Sequence, residues 1–188
     1  MATAEIQDTT AQIRDAHPIT SIAGDWAVVP ADSELGFETR ILFGLIPVRG
    51  RYSGFAGELH VDDAGDADGS LYIEAATVST GIKKRDAHLR SGDFFAVEEH
   101  PHLRFELQSL VPDARDGFDL SATLHIRGHE LAIETPVSVS AAGPARLRVD
   151  GEFPVDHRLS GLRSTGSGWK KVPDALHVKA ALTLQRTD

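Results

Sequence analysis

The 188-residue chain carries 19 Lys and Arg against 28 Asp and Glu, a formal net charge of -9, and no cysteine. Lacking cysteine, it can form no disulfide, thiolate metal site or thiol nucleophile, and its acidic balance argues against general nucleic-acid binding, which clustered Lys and Arg drive. A chain of this length fits one domain that buries roughly 70% of its unfolded surface, enough for a sizeable core or a lined cavity.

Residues 1–22 are polar, with Ile6, Ile13 and Ile19 to bury. Ile6 and Ile13 share a face at helical spacing, so the stretch reads as a tail or a short helix ahead of a domain spanning residues 23–188. It lacks the basic start and apolar run of a secretory signal. Nothing elsewhere has the uninterrupted apolar length of a membrane span. The expected compartment is the cytoplasm, with no stable membrane insertion.

From Gly24 onward apolar and polar residues alternate, the period of half-buried strands. Trp26, Val28 and Val29 precede the turn Pro30-Ala31-Asp32-Ser33, after which Leu35, Phe37, Thr39 and Ile41 share a face. The apolar connection Leu42-Phe43-Gly44-Leu45-Ile46-Pro47 leads to a strand expected to place Phe55, Leu59 and Val61 on one face and Tyr52, Glu58 and His60 on the other. Residues 62–69, acidic and glycine-containing, read as a solvated turn whose spacing does not match a helix-loop-helix calcium loop. Leu71, Ile73, Ala75 and Thr77 continue the alternation.

Residues 80–95 break it. A basic cluster of Lys83, Lys84, Arg85 and Arg90 and the pair Phe94-Phe95 mark a helical or loop insert between two β-rich halves. Alternation then resumes at Leu103, Phe105 and Leu107, and runs through Phe118–Ile126, the hairpin turn at 127–130, Leu131 to Val139, Leu147 to Val155 and Leu176 to Leu184. About eight antiparallel strands, apolar on one face, close as a sandwich or a barrel. Glycines at 36, 44, 50, 54 and 57 favour the sharp coiling of a barrel.

At this point the motifs resemble a known family. Trp26-x5-Asp32-Ser33-x3-Phe37, then Arg85-Asp86-x-His88-Leu89-Arg90-Ser91-x-Asp93-Phe94-Phe95 with His100-Pro101-x3-Phe105, and Leu124-x-Ile126-x-Gly128 are similar to the YceI-like polyisoprenoid-binding proteins over residues 24–186. The resemblance implies an all-β, eight-stranded lipocalin-like antiparallel barrel with a short helical insert around residues 83–95. It also implies that a long isoprenoid lipid or the tail of an isoprenoid quinone sits in an apolar interior, with no cofactor. The family's usual Arg-x-Asp-Phe-Gly stretch near the C-terminus is replaced here by Arg158-Leu-Ser-Gly161.

Such a guest would touch the inward residues Phe37, Phe43, Phe55, Ile73, Phe105, Leu124 and Phe153. Leu89, Phe94 and Phe95 would close one end, Arg85 and Arg90 would reach a phosphate or other polar head, and Trp169 on the Gly166-Ser-Gly-Trp-Lys-Lys171 loop would gate or anchor the mouth. The structural alternative for the insert is a solvated helix with an Asp86–Arg90 pair and phenylalanines that plug the core. Carriage or storage without chemistry is the leading expectation. A filled barrel serving as a structural or interaction module, with homodimer formation left open, is the alternative. An enzyme would use His88 between Asp86 and Asp93 as a base, yet no nucleophile motif accompanies it. His100 with His102, or His125 with His129, would be the pairs for a metal or haem.

Overall fold

A computed structural model of the chain describes residues 22–41, 45–113, 117–156 and 175–187. Ten strands follow in order: β1 (Gly24–Val28), β2 (Glu34–Ile41), β3 (Ile46–Tyr52), β4 (Phe55–Val61), β5 (Ala67–Glu74), β6 (His102–Pro112), β7 (Phe118–Ile126), β8 (His129–Ala141), β9 (Arg146–Asp156) and β10 (Ala175–Arg186). Every pairing is antiparallel, and the order β1-β4-β5-β6-β7-β8-β9-β10-β2-β3 closes on itself through β1–β10.

Ten strands make eight staves. β1 and β2 are two halves of one stave, both laid along the same edge of β10: Trp26–Val28 against Arg186–Leu184, and Glu34–Glu38 against Ala181–His177. β3 and β4 form the next stave, pairing with β2 and β1 respectively. The sequence-based expectation of an eight-stranded barrel therefore holds, with two staves broken in the middle.

The first break is the 3-10 turn Pro30–Asp32. The Ser33 hydroxyl donates to the Val29 carbonyl at 2.7 Å and accepts from the Thr183 amide at 2.9 Å, while the Thr183 hydroxyl donates to the Asp32 carbonyl at 2.8 Å. The second break, at Ser53 and Gly54, changes the side-chain parity, so Tyr52 and Phe55 share a face. This corrects the expectation that Tyr52 faces outward: an unbroken strand would put positions 52 and 55 on opposite faces, but the chain is not a strand across this step.

Two further expectations change. β5 ends at Glu74, and Ala75–Thr77 form a 3-10 turn in place of a continued strand. In β6 the register shifts between Leu107 and Ser109, a bulge that hands the inward position to Leu110. The β7–β8 hairpin turns on two residues, Arg127 and Gly128, both with positive φ (51° and 74°), the geometry that matches strand twist in a two-residue hairpin.

One end of the barrel is plugged by Ile22, Trp26, Val61, Ala67, Leu110, Phe118 and Leu147. Ile22 is 8% exposed and so belongs to the barrel core, although the sequence placed it with the preceding tail. The other end is covered by the insert between β5 and β6, whose helix α1 (Lys83–Arg90) and following turn bring Leu89, Phe94 and Phe95 onto Leu35, Phe37, Phe55, Ile73 and Leu103. The Arg127 guanidinium donates to the Phe94 carbonyl at 2.8 Å, fixing the cap to the β7–β8 hairpin.

Asp86 anchors the start of α1. Its buried carboxylate accepts from the Thr80 amide at 2.8 Å and from the Thr80 and Ser79 hydroxyls. The Thr80 hydroxyl bond does most to hold its pKa below the ordinary 3.8, helped by the Thr80 amide, the Arg90 charge and Ser79, against the opposing effect of burial. A carboxyl whose pKa falls on folding stabilises the fold above its unfolded value and loses that contribution as pH drops through its folded value. In urea denaturation the stability gap between wild type and Asp86→Asn should therefore be widest near pH ~7 and shrink below pH ~4. A gap independent of pH would contradict this role.

Gly36 and Gly50 permit the tight β2–β3 contact. A Cβ on Gly36 would lie 2.4 Å from the Gly50 carbonyl oxygen, and one on Gly50 would sit 2.3 Å from the Phe37 ring. The first clash is with backbone held in the ladder, so Gly36→Ala is expected to destabilise the barrel by about 1–3 kcal/mol, read as a lower urea midpoint.

Candidate apolar cavity

Between the plug and the cap the barrel keeps an interior cavity of about 190 Å³. Its wall is built from the inward position of each stave, where alternation directs the apolar face of every strand. Leu35 and Phe37 come from β2, Leu71 and Ile73 from β5, Phe105 and Leu107 from β6, Leu124 from β7, Val137 from β8, Phe153 and Val155 from β9, and Val178, Ala180 and Leu182 from β10. Among the described residues no Lys, Arg, Asp or His lines the cavity. Glu58 and Ser70 border the cavity but pair with each other in the β4–β5 ladder at an outward register, between inward Leu59–Gly69 and Gly57–Leu71. Several wall residues, among them Phe105, Ala180 and Leu182, are only half-buried although they point inward, because they face this space.

The aromatic wall is ordered by edge contacts. Phe94 and Phe95 meet at 90° with centroids 4.9 Å apart, Phe95 meets Tyr52 at 6.2 Å, and Tyr52 meets Phe37 at 6.3 Å. Phe105 and Phe153 lie 6.0 Å apart on the opposite side of the chain order. Such offset and edge-on pairs are the favoured arrangement of aromatic quadrupoles. Burial raises the Tyr52 phenol far above its ordinary pKa of 10.0, so it stays protonated.

Of the residues singled out in the sequence, Phe37, Ile73, Phe95, Phe105, Leu124 and Phe153 line the cavity. Phe55, Leu89 and Phe94 are buried in the cap cluster behind that wall. Phe43 and Trp169 lie outside the described residues. Arg85 and Arg90 sit elsewhere: Arg85 donates to the Thr80 hydroxyl at 2.7 Å and carbonyl at 3.2 Å, and Arg90 donates to the Val78 carbonyl at 2.8 Å. Both guanidinium groups thus tie α1 to the segment before it, and neither lines the cavity. Lys83 and Lys84 are exposed.

The residue that sequence reasoning missed is Tyr52, which lines the cavity. The available signal was the Ser53-Gly54 pair, a break that inverts facing between the two halves of the stave.

The histidine readings are not assembled. His88 and Asp93 are exposed, and Asp86 is committed to Thr80 and Ser79, so no hydrogen bond joins His88 to either carboxylate among the described residues. His125 is engaged with Glu106 at 3.1 Å on the outer face. Among the described residues no group of three or more His, Asp or Glu is arranged to hold a metal ion, and no helix is long and apolar enough to cross a membrane.

Compared with known proteins, the chain matches the YceI-like domain model over residues 26–184. A UPF0312 protein of Vibrio parahaemolyticus is 23% identical over 128 residues, 66% of this chain and 65% of the relative. One from Azotobacter vinelandii is 29% identical over 94 residues, 49% of this chain and 47% of the relative. The chain thus spans between about half and two thirds of the length of these relatives. Among solved structures, Burkholderia cenocepacia BcnA superposes with a TM-score of 0.74 at 22% identity, covering 83% of this chain and 98% of that one. A polyisoprenoid-binding domain from Saccharophagus degradans, implicated in plant cell wall breakdown, gives 0.68 at 18% identity, with 86% and 98% covered. At these identities the two structures show the shared barrel fold, and the family match over most of the chain goes further: this protein belongs to the YceI-like family.

Proposed function

We propose that the barrel binds the hydrocarbon chain of an isoprenoid lipid, such as a polyprenyl derivative or a quinone tail, and carries or stores it without chemical change. The observation that carries this reading is the cavity itself: about 190 Å³ lined by side chains that are almost all hydrocarbon. A barrel acting only as a scaffold would gain stability by filling that space, since interiors pack to crystal density and voids cost dispersion contacts. The polyisoprenoid-binding description of the Saccharophagus degradans domain supports the same chemistry.

The volume sets the scale of binding. At ~10–15 Å³ per water-sized group, the cavity takes roughly a dozen such groups, on the order of two to three isoprene units. Each unit removed from water contributes on the order of 3 kcal/mol of gross transfer free energy. Ordering the chain and losing translational freedom subtract much of this. A net gain of about one order of magnitude in affinity per unit is expected up to C10–C15, with a shallower dependence for longer chains, in a titration of prenols of increasing length.

Ala180 offers the way to block the site. Gly36, Gly69 and Gly151 also border the cavity, but a Cβ on each would first meet a neighbour at 2.4, 2.5 and 3.0 Å. Ala180 already has its Cβ, and added atoms would extend toward the cavity. Ala180→Phe should leave the barrel folded and lower binding of a C15 prenol at least tenfold; organic extraction and mass spectrometry of the purified wild type and variant provide the cellular counterpart. A wild-type protein that is lipid-free on extraction and takes up no added prenol would overturn the reading.

A further inference from the structure

Among the described residues two inward-facing hydroxyls border the cavity, Tyr52 and Thr135. They differ in one respect. Thr135 is already satisfied, its hydroxyl donating to the Glu152 carbonyl at 3.1 Å. The Tyr52 hydroxyl has no hydrogen-bond partner among the described residues, and it is not sealed off by packing as the buried Nε atoms of Arg90, Arg104 and Arg146 are. Its ring is held between Phe37 and Phe95 and by the β2–β3 register opposite Leu35, so the phenol is fixed in place.

A hydroxyl that faces an apolar cavity without a partner is a cost that native structures rarely leave standing. Water is a poor remedy here, because an ordered water needs two to four polar partners and this wall offers little beyond the phenol. A guest that brings its own acceptor oxygen supplies the missing partner. Among the described residues no cation lines the cavity, and an ionised phosphate placed against this wall would be desolvated without compensation, so an uncharged oxygen is the better match. Arg85 and Arg90, the expected head-group contacts, are occupied with the Thr80 and Val78 backbone outside the wall.

We propose that Tyr52 is a specificity-determining residue that donates a hydrogen bond to an uncharged oxygen of the guest, a quinone carbonyl or a prenol hydroxyl, and so orients the guest with its oxygenated end inside the barrel. This inference rests on the lipid-binding reading and narrows the ligand to neutral oxygenated isoprenoids entering head first.

The test compares wild type with Tyr52→Phe, which keeps the ring and removes the hydroxyl. The probes are a benzoquinone bearing two isoprene units, a C15 prenol and the C15 hydrocarbon of the same skeleton. The variant should bind the quinone and the prenol ~3–10-fold more weakly and the hydrocarbon unchanged. In wild type the carbonyl stretch of the bound quinone should shift to lower frequency in infrared difference spectra, and this shift should vanish in the variant. Equal losses for all three probes, or none for any, would overturn the role of Tyr52 while leaving lipid binding intact. If no probe binds wild type, both readings fail. Should the variant not fold, an unshifted carbonyl band in the wild-type complex is enough to reject the proposal.

Discussion

The barrel depends on one edge of β10 serving two strands. β9 pairs along one side of β10 from Ala175 to Gln185, and the opposite side is divided between β1 and β2. A chain that leaves and rejoins the same edge must cross the gap without leaving backbone groups unpaired, since buried amides and carbonyls need partners. Ser33 and Thr183 perform that function, each exchanging bonds with the other strand's backbone around Asp32. Without this staple the first stave would have no continuous partner, and the sheet would end in an open edge prone to other pairings. Asp32 and Ser33 are also the residues that made the early motif recognisable, so the motif marks the closure of the sheet and not a ligand contact.

The two ends of the closed sheet are finished by different means. At one end Trp26 packs among aliphatics and donates its indole N–H to the Ile22 carbonyl at 2.9 Å, which satisfies the only polar atom the plug side chain brings. At the other end the cap is held by polar links along the insert: Asp86 to Thr80 and Ser79, Arg85 to Thr80, Arg90 to Val78. The helix spans eight residues, short of what is stable in isolation, so its docking on the barrel holds it. Of the charges in residues 80–95, Arg85, Asp86 and Arg90 are therefore consumed in building the cap while Lys83, Lys84 and Asp93 stay exposed, and Leu89, Phe94 and Phe95 of the same stretch are buried.

Alternation made most of the fold legible. Strands β7 to β10 carry an uninterrupted period of two, and residues such as Leu124, Phe153 and Leu182 could be assigned inward from spacing alone. What alternation cannot show is a change of phase without a change of composition. The step from Tyr52 to Phe55 and the bulge between Leu107 and Ser109 both invert facing locally. In the first case the inversion moved a tyrosine from the predicted outer surface to the inner wall. The roles of Arg85 and Arg90 were illegible for another reason: a basic residue near a helix reads the same whether its partner is a ligand or a carbonyl a few residues earlier, and the partner here is fixed only by tertiary structure.

Whether an apolar interior is full or hollow is likewise a matter of volume, not pattern. An eight-stranded barrel is just wide enough for side chains to fill it or for one small guest to be held, so the outcome rests on a few small residues. Gly69, Gly151 and Ala180 stand in the cavity wall, and Gly57 lies beside it opposite Leu71 in the β4–β5 ladder. The glycines are constrained by their neighbours, because a Cβ on Gly69 would press on the Glu58 carbonyl and one on Gly57 on the Ser70 carbonyl. Close approach of the first staves, required for strong coiling, thus demands small residues along the β4–β5 ladder, and those same residues leave the interior unfilled. Coiling and cavity are coupled: the tight curvature that closes so small a barrel also denies it the side chains that would fill it.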